Sequence, residues 1–139
     1  MEETPEIGVV AGNFDVIHPG YIKLFKAMAK KCNTPFVLLH EDPTIERPEK
    51  CKPILSVSER MEMIEALFPY SIVYFLTYNT EAELKFLLKA LNPDVRFLGD
   101  DYQGKSFTGD DLGIPIEWID RGHGWSTTKF KEAIADSLR

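Results

Sequence analysis

The sequence predicts an α/β fold: a doubly wound parallel sheet of about five strands in a single domain spanning residues 1–139, with strand order 3-2-1-4-5 expected. Three observations carry this reading. Apolar runs of strand length alternate with helical patterns along the whole chain. That alternation means parallel strands joined by right-handed helical crossovers. The two longest irregular stretches, 41–55 and 100–113, each follow a strand, which puts both at the carboxyl edge of the sheet, where such folds bind ligands.

The first strand is expected at 6–11 (EIGVVA), closed by Gly12-Asn13. Over 21–31, apolar Ile22, Phe25, Ala27, Met28 and Ala29 alternate with Lys23, Lys26 and Lys30 at helical spacing, which predicts the first helix with a solvated lysine face. A second strand follows at 35–40 (PFVLLH). The stretch 41–52 is polar and, with Pro43, Pro48 and Pro53, reads as loop. A second helix is predicted over 56–67, with Ser58 as N-cap and Met61, Ile64 and Leu67 on its apolar face. The third strand is expected at 71–77 (SIVYFLT). Thr80 followed by Glu83 has the form of a capping box and opens a third helix, which Asn92-Pro93 stops after Leu91. Short strands at 95–98 and 114–119 and a final helix over 126–138 complete the pattern.

Composition bounds the function classes. A chain of 139 residues, 44% hydrophobic and 27% charged, is one domain that hides roughly two-thirds of its unfolded surface and needs no disulfide staples. Mean hydropathy is −0.18, and no apolar run approaches the ~18 residues of a membrane span. The start, Met1-Glu2-Glu3-Thr4-Pro5, is acidic and polar, so it is not expected to act as a signal peptide. Cys32 and Cys51 form no CxxC pair, so free thiols in the reducing cytoplasm are expected. A net charge of −6 argues against nucleic acid or an anionic membrane as partner. An anionic ligand must therefore be held by local cations and backbone amides.

Two constellations offer such groups. In the first, running from Gly12 to Tyr21 (GNFDVIHPGY), a strand ends at glycine, a turn follows, and a helix begins at Pro19, where a missing N–H costs nothing. A helix N-terminus presents free N–H groups and partial positive charge to phosphate. His18 stands at that mouth as a donor, and Gly20 lets a ligand approach the backbone. For an isolated histidine a capping or core role would be the plainer reading. In the second, Arg121-Gly122-His123-Gly124-Trp125-Ser126-Thr127-Thr128-Lys129, a strand again leads through a glycine loop into a helix start. Ser126 can cap, the hydroxyls of Thr127 and Thr128 lie beside free amides, and Arg121 suits bidentate phosphate contacts. Neither GxxxxGK[ST] nor a first-turn GxGxxG is present, which disfavours a P-loop NTPase and a dinucleotide-binding dehydrogenase.

Taken together, G-x-F-D-x-x-H-x-G and R-x-x-x-x-S-T-T-K, about a hundred residues apart, resemble the cytidylyltransferase-like nucleotidyltransferases. Gly99-Asp100-Asp101-Tyr102-Gln103-Gly104-Lys105 resembles the GDDW-x-GK segment of glycerol-3-phosphate cytidylyltransferases, and Ser58-Glu59-Arg60 with Met63-Ile64 resembles their second helix. The resemblance covers nearly the whole chain. It implies a Rossmann-like domain in which a phosphate oxygen of a small phosphorylated alcohol attacks the α-phosphate of CTP and pyrophosphate leaves. Mg²⁺ would be held mainly through the nucleotide phosphates, with no protein metal site. It also implies a homodimer. By the same resemblance, His18, Arg121 and Lys52 are the candidate catalytic groups. Asn13, Phe14, His18, Pro19, Gly20, Tyr21, Lys50, Lys52 and Arg121 through Thr128 are the nucleotide-binding candidates. Lys50 and Lys52 remain alternatives for one phosphate-binding lysine. Asp15, Asp101 and Tyr102 are the substrate-binding candidates, with Asp15 placing the reacting phosphates.

Two positions depart from the family pattern. The family's His-x-Gly-His reads His18-Pro19-Gly20-Tyr21 here, and the stretch Thr80-Glu81-Ala82-Glu83 lacks the lysine that glycerol-phosphate enzymes carry at the start of the helix after the third strand. The residues themselves agree with nucleotidyl transfer. No nucleophile stands beside a base, and the reaction needs positioning and charge stabilisation more than a covalent nucleophile. An adenylyltransferase of the same fold and a non-catalytic nucleotide-binding module are the alternative readings.

Overall fold

The computed structural model describes residues 4–139; the acidic start Met1–Glu3 lies outside the described residues. Five strands, β1 (Ile7–Gly12), β2 (Thr34–His40), β3 (Tyr74–Tyr78), β4 (Val95–Gly99) and β5 (Ile116–Ile119), form one parallel sheet in the order 3-2-1-4-5. Four helices connect or follow them: α1 (Pro19–Lys31), α2 (Val57–Glu65), α3 (Glu81–Leu91) and α4 (Thr127–Ser137). The expected architecture and strand order are the observed ones.

The inner strands β1, β2 and β4 are buried on both faces, and period-two alternation sorts their side chains. Val10, Val37 and Leu39 join Phe25, Met28, Ile64 and Phe68 in the core beneath α1 and α2. Val9 and Leu38, one residue out of phase, join Leu84 and Leu88 beneath α3. The chain moves outward from β1 through β2 to β3, then crosses back to β4. With crossover handedness constant, this reversal puts α3 on the opposite face and opens the switch point between β1 and β4.

Element boundaries moved for identifiable reasons. Helix α1 starts at Pro19, two residues before the apolar periodicity becomes visible, because His18 caps it. The N-cap of α2 is Ser56, not Ser58: its hydroxyl accepts from Glu59 N–H at 3.1 Å, and the Glu59 carboxylate returns to Ser56 N–H at 2.9 Å, a complete capping box. At α3 only half of the expected box forms, with the Thr80 hydroxyl accepting from Glu83 N–H at 3.1 Å. Strand β3 begins at Tyr74 rather than 71, since Tyr74 is the first residue with a partner, Phe36, in β2. Strand β5 begins at Ile116 because Pro115 has no N–H for the ladder, although its carbonyl still accepts from Arg96 N–H at 2.8 Å.

Candidate active site

The carboxyl ends of β1, β4 and β5 and the start of α1 enclose a cleft of about 210 Å³ at the switch point. Its first wall is the turn after β1. Phe14 takes a left-handed backbone (φ 48°), sparsely populated for a residue with a side chain, and its ring folds back over β1. A Cβ at Gly12 would lie 2.9 Å from that ring, which explains the glycine two positions before the phenylalanine. The ring is buried edge-on to Tyr21 and Phe25, at 5.0 and 5.1 Å between centroids.

The two ring nitrogens of His18 lie in distinct environments. It is the N-cap of α1, with Nδ1 accepting from Gly20 N–H at 3.1 Å and Tyr21 N–H at 3.3 Å. Its Nε2 is buried in the cleft wall without a hydrogen-bond partner. An imidazole whose Nδ1 accepts two N–H groups carries its neutral proton on Nε2, so the unpartnered atom is a donor. Burial, then the neighbouring Arg121 guanidinium and His123 ring, hold its pKa below the ordinary histidine value, which favours the neutral ring at pH 7. The capping reading and the ligand-donor reading of this residue are compatible, one on each ring nitrogen.

Tyr21 stacks on the His18 ring at 3.9 Å between centroids. Its hydroxyl lies 2.5 Å from Thr127 Oγ1, linking the first turns of α1 and α4. Burial raises the phenol pKa and keeps the hydroxyl neutral. Helix α4 has no fully buried residue and rests on the domain through this contact, through Phe130 against His18 and Trp125, and through Lys131.

Arg121 and His123, from the loop after β5, line the same cleft, as do Gly99 and Tyr102 from the end of β4. Asp100 accepts the Arg121 backbone N–H at 3.0 Å, so the 100–102 turn sets the position of the arginine. The Arg121 guanidinium donates to the Trp125 carbonyl at 3.2 Å, and Trp125 N–H donates to His123 Nδ1 at 2.9 Å. Gly122 donates to Asp120 at 2.7 Å, Gly124 supplies a positive φ of 78°, and Ser126 caps α4 by accepting from Lys129 N–H. Thr128 is exposed on the first turn of α4.

The structure thus brings together Phe14, His18, Gly20, Tyr21, Tyr102, Arg121 and His123 around one cleft. Other candidates lie elsewhere. Lys50 and Lys52 are exposed on the 41–55 loop, and neither lines the cleft; Asp101 is exposed beside Gly99. Asp15, expected to place phosphates, is fully buried with its oxygens already engaged. It accepts from Ile54 N–H and Leu55 N–H, both at 2.8 Å, and pairs with Lys131 Nζ at 2.6 Å. It anchors the loop and α4 to the first turn of the site. Asn13 contributes its carbonyl, which accepts from Arg60 at 2.9 Å.

Arg60 and Lys131 received no role from sequence. The buried Arg60 guanidinium donates to the carbonyls of Asn13, His40, Glu41, Leu55 and Ser56, stitching the carboxyl ends of β1 and β2 to the loop. Cys32 donates to the Met28 carbonyl, and burial pushes its thiol up to about 11, so it is an inert core group. Among the described residues no group of three or more His, Cys, Asp or Glu side chains is placed to hold a metal ion.

The family model described as Cytidylyltransferase-like matches residues 9–111. The chain belongs to the cytidylyltransferase-like family. Bifunctional protein HldE of Campylobacter jejuni is 32% identical over 126 residues, covering 90% of this chain and 27% of the relative. The chain therefore spans about a quarter of the length of these bifunctional relatives. FAD synthase of Methanohalophilus mahii is 34% identical over 93 residues, 67% of this chain and 62% of that protein. The crystal structure of a lipopolysaccharide core biosynthesis protein from Thermoplasma volcanium shares the fold, with a TM-score of 0.58 at 22% identity over 84% of this chain and 95% of that one. Pantothenate synthetase from Thermus thermophilus shares it with a TM-score of 0.58 at 13% identity, over 92% of this chain and 64% of that one. No helix among the described residues is long and apolar enough to cross a membrane.

Proposed function

We propose that this cytidylyltransferase-like chain transfers a nucleotidyl group from a nucleoside triphosphate to a small phosphorylated acceptor, releasing pyrophosphate. The observation that carries this reading is the His18 Nε2 donor, buried without a partner in a cleft lined by the start of α1 and by Arg121, with the first turn of α4 tied to it through the Tyr21–Thr127 contact. An acceptor phosphate oxygen forms a bond to the α-phosphorus, and the bond from that phosphorus to the bridging oxygen of the β-phosphate breaks, its electron pair leaving with pyrophosphate. A phosphomonoester is largely deprotonated at neutral pH, so no protein base is demanded. The helix termini and Arg121 hold the triphosphate, and His18 donates to oxygens that gain charge in the transition state. Mg²⁺, bound with the nucleotide, would neutralise phosphate charge.

The nucleotide is CTP in the reading carried by Gly99 to Lys105, whose Gly99 and Tyr102 line the cleft. Adenylyl transfer from ATP has its own support, the 34% identity to FAD synthase, whose product contains adenylate. The lack of a lysine in Thr80-Glu81-Ala82-Glu83 favours an acceptor other than glycerol 3-phosphate. Free Cys32 and Cys51 support a reducing compartment such as the cytoplasm, and the homodimer implied by the family resemblance is open to size-exclusion measurement. The deciding experiment is pyrophosphate release with CTP, ATP, GTP and UTP against a panel of phosphorylated alcohols and sugars. Preference for CTP supports the first reading and preference for ATP the second. Nucleotide binding without turnover on any acceptor would leave a binding module.

A further inference from the structure

The family pattern has a second imidazole on the first helix, and this chain has Tyr21 there. Its hydroxyl is committed to Thr127, and its ring lies flat on His18. Tyr21 braces the site but does not replace an imidazole donor. A second imidazole nevertheless reaches the same place. The loop after β5 brings His123 over the start of α1, so that Gly20 is flanked by two histidines. A Cβ at Gly20 would lie 2.7 Å from His123 Cε1 and 2.9 Å from His18 Cε1.

The two rings are prepared in the same way. His18 Nδ1 accepts the N–H groups of Gly20 and Tyr21, and His123 Nδ1 accepts the N–H of Trp125 at 2.9 Å. In each, the neutral proton is thereby placed on Nε2. Both histidines line the cleft, and the His18 Nε2 is buried without a partner.

We propose that His123 is the second imidazole donor of the transfer site, delivered by the loop after β5 in place of the helix α1 position that Tyr21 occupies. The proposal rests on the nucleotidyl-transfer reading. In that reaction neither ring gives up its proton. Both Nε2–H groups point their partial positive charge at phosphate oxygens as the bond from the α-phosphorus to pyrophosphate breaks. Gly20 is then required, because any side chain there would wedge the two rings apart.

The test combines imidazole ¹⁵N NMR of the full chain, titrated with inorganic pyrophosphate and with Mg²⁺–nucleoside triphosphate, and steady-state kinetics. Both rings should show the Nε2–H tautomer, and both Nε2 signals should move on addition of pyrophosphate. His123→Ala should lower kcat roughly 10²-fold, the scale for one transition-state donor, with KM for the nucleotide changed less than about threefold. His123→Gln keeps an N–H donor of similar reach and should recover part of the loss. Adding Tyr21→His to His123→Ala should do the same by returning an imidazole to the helix. A His123 signal that stays still while that of His18 moves, or full turnover in His123→Ala, overturns the assignment and leaves the transfer reading intact. Stillness of both rings would overturn both.

Discussion

The Tyr21 hydroxyl lies 2.5 Å from Thr127 Oγ1 and ties the first turn of α1 to the first turn of α4. The two helix N-termini at the cleft are therefore held in one arrangement before any ligand arrives. Tyr21→Phe keeps the ring packing on Phe14 and His18 and removes only this link. Its expected effects are a loss of about 0.5–1.5 kcal/mol in stability, the net worth of one hydrogen bond, and a lower kcat from the less constrained α4. Urea unfolding and turnover measured on the same preparation check both. Tyr21→His should retain turnover, since it puts back the imidazole of the family pattern.

The two nitrogens of His18 can be separated by substitution. Asparagine is a good N-cap and can accept the N–H groups at the start of α1, but it lacks the Nε2 donor. His18→Asn should keep most of the stability and lose roughly 10² in kcat. His18→Ala should lose the same kcat and also about 1 kcal/mol of stability. Equal turnover in wild type and His18→Asn would reduce His18 to a helix cap.

How much of this was legible in the sequence depended on whether the signal was local. The strand order and the pairing of two helix starts follow from element order and turn chemistry, both local patterns read in sequence. His18, Gly20 and Arg121 stand out because glycine and proline mark where the chain turns at the sheet edge, while the site role of Tyr21 comes from the family resemblance. Ser56 and Ser58 both satisfy a capping rule, and only the Glu59 carboxylate, three residues from Ser56, decides between them. Arg60 and Lys131 carried no usable signal. Arg60 bonds five carbonyls from three separate segments, and Lys131 is one lysine among many until the fold brings it to Asp15, far away in sequence. The phosphate-placing role of Asp15 comes from the family resemblance alone. Its two loop N–H partners are invisible without the fold.

The Asp15–Lys131 pair sets an acid limit on the fold. Burial raises the Asp15 pKa, but the Lys131 contact and the N–H groups of Ile54 and Leu55 outweigh it and hold the carboxyl below its ordinary value of 3.8. A carboxyl depressed in the folded state contributes stability that is complete above the unfolded pKa and is lost as pH falls through the folded one. Stability should therefore be level from neutral pH to about 5 and fall below 4 in part through this group. Lys131→Met, which leaves a buried carboxylate unpaired, should cost about 3 kcal/mol at pH 7. The double variant Asp15→Asn with Lys131→Met should recover much of that and show a weaker acid dependence. Denaturant midpoints from pH 3 to 8 for the three proteins check this.

The last prediction concerns the charge that a triphosphate brings. A helix terminus offers about half a unit charge, and two such termini leave most of a triphosphate's negative charge unmatched. Arg121 is placed to make up part of the difference. Its backbone is fixed by Asp100 and its stem packs beside Gly99, while its guanidinium makes a single bond, to the Trp125 carbonyl. Four of its five N–H donors are thus left for a ligand. Arg121→Ala should weaken binding of the nucleoside triphosphate roughly ten- to hundredfold, the worth of one charge-assisted contact, and the loss should shrink as salt screens this exposed cation. Binding of the corresponding monophosphate, which lacks the outer phosphates, should hardly change. The same substitution removes a positive charge that helps depress the His18 pKa, so the His18 imidazole should titrate at higher pH in the variant. Calorimetry with the two nucleotides and imidazole NMR read these effects independently. Equal losses for triphosphate and monophosphate would move Arg121 from the outer phosphates to the nucleoside end of the cleft, and the two-helix phosphate site would then need another cation.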